Sequence, residues 1–273
     1  MRLEISSSPY QLGPTPEKLR SGKITELILN LSNVGFISSS DLAHLRCIFE
    51  LAVQLKISVS FIRPIDKNKE SYLGRMGLFE GTEYHYPLKK HDSDNFLALR
   101  KIKNQNNESL YTDLVRVFEP SGVSLQQIQS LSEALLELVN NIHFHSGPNY
   151  MQGWGFVHSQ ALRGNSPGIW VGIVDVGVGF YGSYLRTGQL RGRTEAQIVL
   201  DSLEEGQTSL TGDLGKGRGI GLGEVRQFVN DYEGLFTIRT GRTGLIVRKQ
   251  GVKVIDLGYP VNGTWIELKV PKL

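Results

Sequence analysis

Apolar and polar residues follow one another in the first third of the chain in a pattern that predicts a small α/β unit. Runs typical of strands cover residues 24–31 and 57–62, and between them apolar residues recur at the three- and four-residue steps of a helix. The segment from Ser38 to Asp41 supplies N-cap side chains for that helix, and Asp66 to Gly77 predicts a further short helix. Strands that alternate with helices favour an α/β fold for this part.

A second amphipathic helix is predicted between Ser132 and Ser146. Apolar residues recur along one face, and a polar stripe recurs every four positions on another, where i,i+4 geometry stacks Glu133, Glu137, Asn141 and His145. Such a stripe is equally typical of a solvated helix face, so the residues that follow decide its interpretation. His143 and His145 are two positions apart and point to different sides of a helix, which excludes a metal-binding pair there.

An apolar run of strand character ends at Asp175 and is followed by Gly177 and Gly179. A carboxylate buried without a partner costs on the order of several kcal/mol, so a group must donate to it. That donor is either a ligand amine or a backbone amide of the following turn. Glycine lets the backbone approach a ligand closely or bend sharply. This turn is therefore a candidate ligand site.

A second glycine-rich turn leads into another helical pattern. Glycine alternates with other residues at Gly215, Gly217, Gly219, Gly221 and Gly223, and Leu222 lies within the new helix. Backbone N–H groups at a helix start favour phosphate oxygens, and Lys216 and Arg218 would add charge-assisted contacts. A flexible surface loop is the alternative interpretation.

The remainder of the chain is predicted to form strands beside the long helices. Strand patterns cover residues 235–239, 245–248, 252–256 and 263–271, with a turn at Asn262–Gly263 between the last two. Consecutive strands beside helices predict an α+β layer, in which helices cover one face of a mixed sheet.

The spacing of these glycine motifs disfavours two common nucleotide-binding folds. Gly177 to Gly182 fits the G-x-G-x-x-G pattern, and Asp201 follows about 20 residues later, as a dinucleotide-binding fold requires. The next strand pattern begins only near Leu235, however, so the required βαβ unit of about 30 residues is missing. No Gly-x-x-x-x-Gly-Lys-Ser/Thr sequence is present, which excludes a P-loop.

Length, charge and cysteine content limit the possible domain number, partners and cellular compartment. The 273 residues allow one large domain or two ordinary ones, and the formal net charge of +3 is too small to favour nucleic acid as a partner. The single cysteine, Cys47, excludes a disulfide framework or a cysteine zinc cluster and suits a reducing compartment. No apolar run approaches the roughly 18 residues of a membrane span, and the start lacks the apolar core of a signal peptide. We expect a soluble cytoplasmic protein without membrane association.

The order of these motifs over residues 120–273 resembles the ATP-binding domain of the GHKL superfamily, which groups gyrase, Hsp90, histidine kinases and MutL. The resemblance implies a Bergerat-type two-layer sandwich that binds ATP and Mg²⁺. It implies that Glu137 is the general base, that Asn141 holds Mg²⁺ bound to the ATP phosphates, and that Asp175 receives the adenine amine. It also implies a mobile ATP lid from about Phe180 to Gly215, with a short helix over 195–205. The further cofactor-binding residues it implies are Gly177, Gly179, Lys216, Gly217, Arg218, Gly219, Gly221, Leu222 and Thr264.

The N-terminal part resembles a STAS domain of the anti-anti-sigma-factor kind. The resemblance rests on the segments Ile28 to Leu42 and Leu73 to Phe79. It implies that Ser40 occupies the position of the phospho-acceptor. Ser38 stands where that family has Asp, and Asp41 where it has Gly, which favours a helix cap over an acceptor.

These resemblances divide the chain into a STAS-like domain at 1–90, a connecting segment at 91–119 and a GHKL-type domain at 120–273. The implied function is a regulatory, signalling ATP-binding protein, closest in style to anti-sigma-type Ser/Thr kinases. It would hydrolyse Mg-ATP or transfer a phosphoryl group to Ser or Thr, and its lid would gate contacts with a protein partner or a second copy. The alternatives are a non-catalytic, nucleotide-gated docking module and a histidine-kinase-like protein that lacks the usual dimerisation helix.

Overall fold

The structure, a computed structural model, describes residues 1–84, 95–102, 108–119, 124–147, 153–162, 167–204 and 221–271. It contains a three-stranded parallel sheet and a five-stranded antiparallel sheet together with helices. The predicted combination of helices and strands is confirmed at this level. None of the helices in these ranges combines the length and apolar character that a membrane crossing requires.

The smaller sheet is built from the N-terminal third in the order β1-β2-β3, and both neighbouring pairs are parallel. Helix α3 begins where predicted, because the Ser38 hydroxyl accepts a hydrogen bond from the Asp41 amide at 3.1 Å. The first strand and the first two helices were not predicted from the sequence. The elements are β1 (Arg2–Ile5), α1 (Pro9–Leu12), α2 (Thr15–Arg20), β2 (Glu26–Asn30), α3 (Ser39–Gln54), β3 (Ser58–Ile62) and α4 (Lys67–Arg75).

The larger sheet has the order β4-β5-β6-β8-β7. Its strands are β4 (Phe96–Ile102), β5 (Gly155–Leu162), β6 (Gly168–Asp175), β7 (Leu235–Arg248) and β8 (Gly251–Pro271). Its helices are α5 (Glu108–Phe118), α6 (Leu125–Asn141), α7 (Gly179–Arg186), α8 (Glu195–Asp201) and α9 (Gly221–Tyr232), and one π-helical turn (Ile142–Ser146) continues α6. The short helix expected within 195–205 is present as α8.

Two sequence-based expectations for this sheet are wrong. All neighbouring strands are antiparallel, so the sheet is not mixed; β5–β6 and β7–β8 are consecutive antiparallel partners. Asn262–Gly263 is not a turn but lies inside β8, where Thr240 pairs with Thr264 while Gly241 pairs with Val261. Two extra residues bulge there, and the positive φ of +81° at Gly263 is the feature that a turn shares with a bulge.

The segment 91–119, expected as a connection, contributes structure to the larger sheet. Strand β4 pairs antiparallel with β5 at the sheet edge. Leu110, Leu114 and Phe118 of α5 are buried in the core that α6 and α9 share. These two elements therefore belong to the larger sheet and its helical layer.

The sheet is covered on both faces, so it forms the middle of three layers and not half of a two-layer sandwich. Ile169, Val171 and Ile173 of β6 pack with α5, α6 and α9 on one face. On the other face Val174 and Trp265 pack with α3 from the N-terminal part. The continuous apolar run of β6 follows from this double burial.

Helix α3 lies directly on β6 at Gly172. A Cβ atom added there would lie 2.3 Å from the Ser39 carbonyl carbon and 2.4 Å from the Ser40 amide nitrogen. Further along the helix, His44 is fully buried and its ring centroid lies 3.9 Å from that of Trp265. The N-terminal part and the larger sheet therefore share one continuous core, and α3 forms the contact between them.

Candidate nucleotide site

Asp175 ends β6 and is the most deeply buried acidic residue of the candidate site, with 2% of its surface exposed. Its Oδ1 accepts a hydrogen bond from the Gly177 amide at 2.7 Å. Thr264, its register partner on β8, also donates to it through side chain and backbone. A backbone amide, that of Gly177, thus donates to the carboxylate, as one of the two predicted alternatives required. It binds one of the two carboxylate oxygens.

Burial gives this carboxyl group an unusual protonation equilibrium. Loss of solvation raises the pKa of Asp175 from its ordinary 3.8 to about 7, and the hydrogen bonds from Gly177 and Thr264 and the charge of Arg20 act against that rise. Near neutral pH the group therefore exists in both protonation states. The ionised state is a strong acceptor for an amine, whereas the protonated state can itself donate.

Gly177 and Gly179 hold the turn after Asp175 against other parts of the chain. A Cβ at Gly177 would lie 1.8 Å from the Ser146 carbonyl oxygen, and the Val178 amide donates to that same oxygen at 3.1 Å. Gly179 has a φ of +65°, and a Cβ there would lie 2.6 Å from the Thr240 hydroxyl oxygen. Close contacts within the protein alone therefore explain why both positions are glycine, and a ligand is not needed to explain them.

The contact between the Asp175 turn and Ser146 brings the end of α6 to the site. Glu137 and Asn141 lie one helical turn apart on α6, and both are half-buried. Asn141 is the last α-helical residue before the π-helical turn. Single π-helical turns occur frequently at functional sites.

The π-helical turn changes the polar stripe predicted for α6. A π turn holds more residues than an α turn, so the four-residue spacing stops at Asn141 and His145 leaves the stripe. The Nδ1 atom of His145 instead lies 3.3 Å from the Ser183 hydroxyl oxygen of α7. Arg186 of α7 also donates to the Gly147 carbonyl oxygen at 2.7 Å, so α7 is fastened to the end of this turn.

The second glycine-rich turn lies largely outside the described residues. This applies to Lys216, Gly217, Arg218 and Gly219. The predicted helix is present as α9, which begins at Gly221, and Leu222 within it is buried in the core. Helix α9 packs beside α6. The helix that follows the predicted phosphate turn is therefore a neighbour of the helix that carries Glu137 and Asn141.

Ser40 lies apart from these residues, on the face of the sheet that α3 covers. It is 2% exposed, and its hydroxyl donates to the Glu267 carboxylate of β8 at 2.7 Å. Its hydroxyl oxygen also lies 3.1 Å from that of Ser38. Burial between helix and sheet matches a structural role for this serine.

One residue at the site, Arg20, could not be identified from the sequence. Arg20 of α2 donates to the Val176 carbonyl oxygen at 2.5 Å, in the turn that follows Asp175. It comes from a short helix that the hydrophobic pattern did not predict, and it is separated from the turn by 156 positions. Only the folded chain brings the two together.

The predicted magnesium site has a single protein ligand, Asn141. Among the residues that the structure covers, no group of three or more His, Cys, Asp or Glu side chains could hold a metal alone. Mg²⁺ takes few protein ligands when it is bound to phosphates and prefers oxygen, which the Asn141 amide offers.

Comparison with known proteins gave no match to any family model and no match among curated proteins.

Proposed function

We propose that residues 120–273 bind Mg-ATP in the manner of the GHKL class and that the protein is a regulatory ATPase or a Ser/Thr kinase. One observation carries this proposal. The buried Asp175 carboxyl group lies at the end of a central strand, and its turn contacts the end of the helix that bears Glu137 and Asn141.

Each side chain has a distinct role in this proposal. The ionised Asp175 accepts the adenine amine with the carboxylate oxygen that does not bind the Gly177 amide, while Thr264 borders the base. Asn141 offers its amide oxygen to Mg²⁺. Lys216 and Arg218 neutralise phosphate charge. Magnesium supplies electrostatic stabilisation of the charge that develops on the phosphates.

Glu137 is the proposed general base. It lies one turn before Asn141 on α6, where it can take the proton of a water molecule or of a protein hydroxyl group. Helices α7 and α8 lie in the segment predicted as the lid. Because α7 is fastened to the π-helical turn and Ile198 and Val199 of α8 are fully buried, a lid that moves would have to follow α8. Closure of that lid would alter the contacts of the protein with a partner or a second copy, which gives the nucleotide a regulatory role.

Calorimetric titration of the full chain with Mg-ATP tests the binding step. We expect Asp175→Asn and Asn141→Ala to weaken binding and Glu137→Ala to retain it while turnover is lost. Asp256→Asn is the matched control, because Asp256 also accepts a hydrogen bond from the amide two residues later, at 2.8 Å, but is exposed. Wild-type affinity in both binding-site variants would refute the proposal.

Incubation with γ-labelled ATP separates the activities. Label in free phosphate indicates an ATPase, and label on an added protein indicates a kinase. Binding without any transfer would leave the nucleotide-gated docking module, and label on a histidine would indicate the histidine-kinase-like alternative. Retained turnover in Glu137→Ala would rule out its role as the base.

A further inference from the structure

The N-terminal part contacts the candidate nucleotide site from the side of α2. The Asn262 amide of β8 donates to the Gly13 carbonyl oxygen at 3.2 Å. The Glu17 amide of α2 in turn donates to the Asn262 side-chain oxygen at 3.3 Å. These bonds hold α2 beside the bulge in β8, immediately before Gly263 and Thr264.

Arg20 extends this contact to the turn after Asp175. Although the residue as a whole is exposed, its guanidinium group donates to the Val176 carbonyl oxygen at 2.5 Å in a partly buried position. Burial lowers the pKa of Arg20, and the Asp175 carboxylate acts against that change. The two side chains therefore interact electrostatically as well as through the turn.

Few other groups act on the Asp175 carboxyl. The Gly177 amide and Thr264 donate to it from its own turn and from β8. From α3, the buried Cys47 thiol donates to the neighbouring Val174 carbonyl oxygen at 3.5 Å, and burial keeps its pKa well above the ordinary value, so it is neutral. The Arg20 charge also lowers the pKa of Asp175, by less than the hydrogen bonds from Gly177 and Thr264 do.

We propose that Arg20 is a positioning residue through which the N-terminal part controls nucleotide affinity, by fixing the Asp175–Gly177 turn and favouring the ionised carboxylate. This inference rests on the proposed function. The hydrogen bond to Val176 orients the peptide that follows Asp175, and the positive charge stabilises the protonation state that accepts an amine. A movement of α2 away from the turn removes both effects together and lowers the affinity for ATP.

The test compares Arg20→Gln, Arg20→Lys and the control Lys18→Gln, an exposed position on the same helix. Mg-ATP affinity is measured by calorimetry from pH 6 to 8.5 on the full chain. We expect Arg20→Gln to weaken binding at pH 7 on the order of 5-fold, and to move the midpoint of the pH dependence upward. Arg20→Lys restores the midpoint because it restores the charge, and Lys18→Gln behaves as the wild type.

A second measurement does not depend on nucleotide. The Asp175 carboxyl is titrated by carbon NMR in free protein that carries labelled aspartate, with Asp175→Asn used to assign the signal. A higher pKa in Arg20→Gln than in the wild type supports the inference. Wild-type affinity and midpoint in Arg20→Gln would overturn it while leaving the proposed function intact. Absence of ATP binding by the wild type would overturn the proposed function and this inference together.

Discussion

Ionisation of Asp175 opposes folding, and the size of this effect follows from its pKa. The folded-state pKa of about 7 lies about 3 units above the ordinary 3.8. Each unit corresponds to about 1.4 kcal/mol, so the ionised carboxylate lowers the free energy of unfolding by at most about 4 kcal/mol. The folded state binds the proton more tightly, so stability is lost as the pH rises from about 4 to 7 and stays low above that range.

The substitution Asp175→Asn removes this ionisation. The amide oxygen of asparagine can still accept the hydrogen bond from the Gly177 amide, whose length is 2.7 Å in the wild type. We therefore expect the stability of the variant, relative to the wild type, to increase by up to about 4 kcal/mol between pH 4.5 and pH 8.

Urea unfolding at several pH values between 4.5 and 8 measures the effect. The wild type, Asp175→Asn and the exposed control Asp256→Asn are compared, and the slope m is checked so that only stability differs. We expect the control to follow the wild type. Parallel stability curves for the wild type and Asp175→Asn would show that burial does not raise this pKa and would refute the reasoning.

Two further substitutions test the contact between α3 and the larger sheet. Gly172→Ala places a methyl group 2.3 Å from the Ser39 carbonyl carbon, so we expect a loss of about 1–3 kcal/mol or more in urea unfolding, whereas Gly35→Ala, with open space around it, should be neutral. Ser40→Ala leaves the Glu267 carboxylate without its 2.7 Å hydrogen bond and should cost about 1–3 kcal/mol. We also expect no label on Ser40 from γ-labelled ATP, and mass spectrometric detection of phosphate there would contradict its structural role.

Local elements could be predicted from the sequence because their signals are local. The Ser38 cap, α3, the polar stripe of α6 and the strand that ends at Asp175 all depend on residues within one or two turns of each other. The π-helical turn after Asn141 could not be predicted in the same way, because it depends on contacts with Gly153 and the Asp175 turn.

Long-range pairing escaped prediction for a physical reason. Gly263 has the positive φ that suits a turn, but Asn262 and Gly263 lie between the pairs Thr240–Thr264 and Gly241–Val261 and so form a bulge within a continuous strand. Gly172 looked like an ordinary strand residue, although it is where α3 meets the sheet. The contact between Arg20 and Val176 likewise depends on which surfaces of the two parts face each other.

The shared layer around α3 has a consequence for synthesis on the ribosome. The apolar face of α3 is completed by Phe156, Val174 and Trp265, which are translated long after the helix itself. Until Trp265 has emerged, the nascent chain carries an incomplete apolar surface, which is the kind of surface that chaperones bind and that aggregates. The N-terminal third therefore completes its packing only after the rest of the chain has been translated, and truncation before β8 would leave this apolar surface exposed.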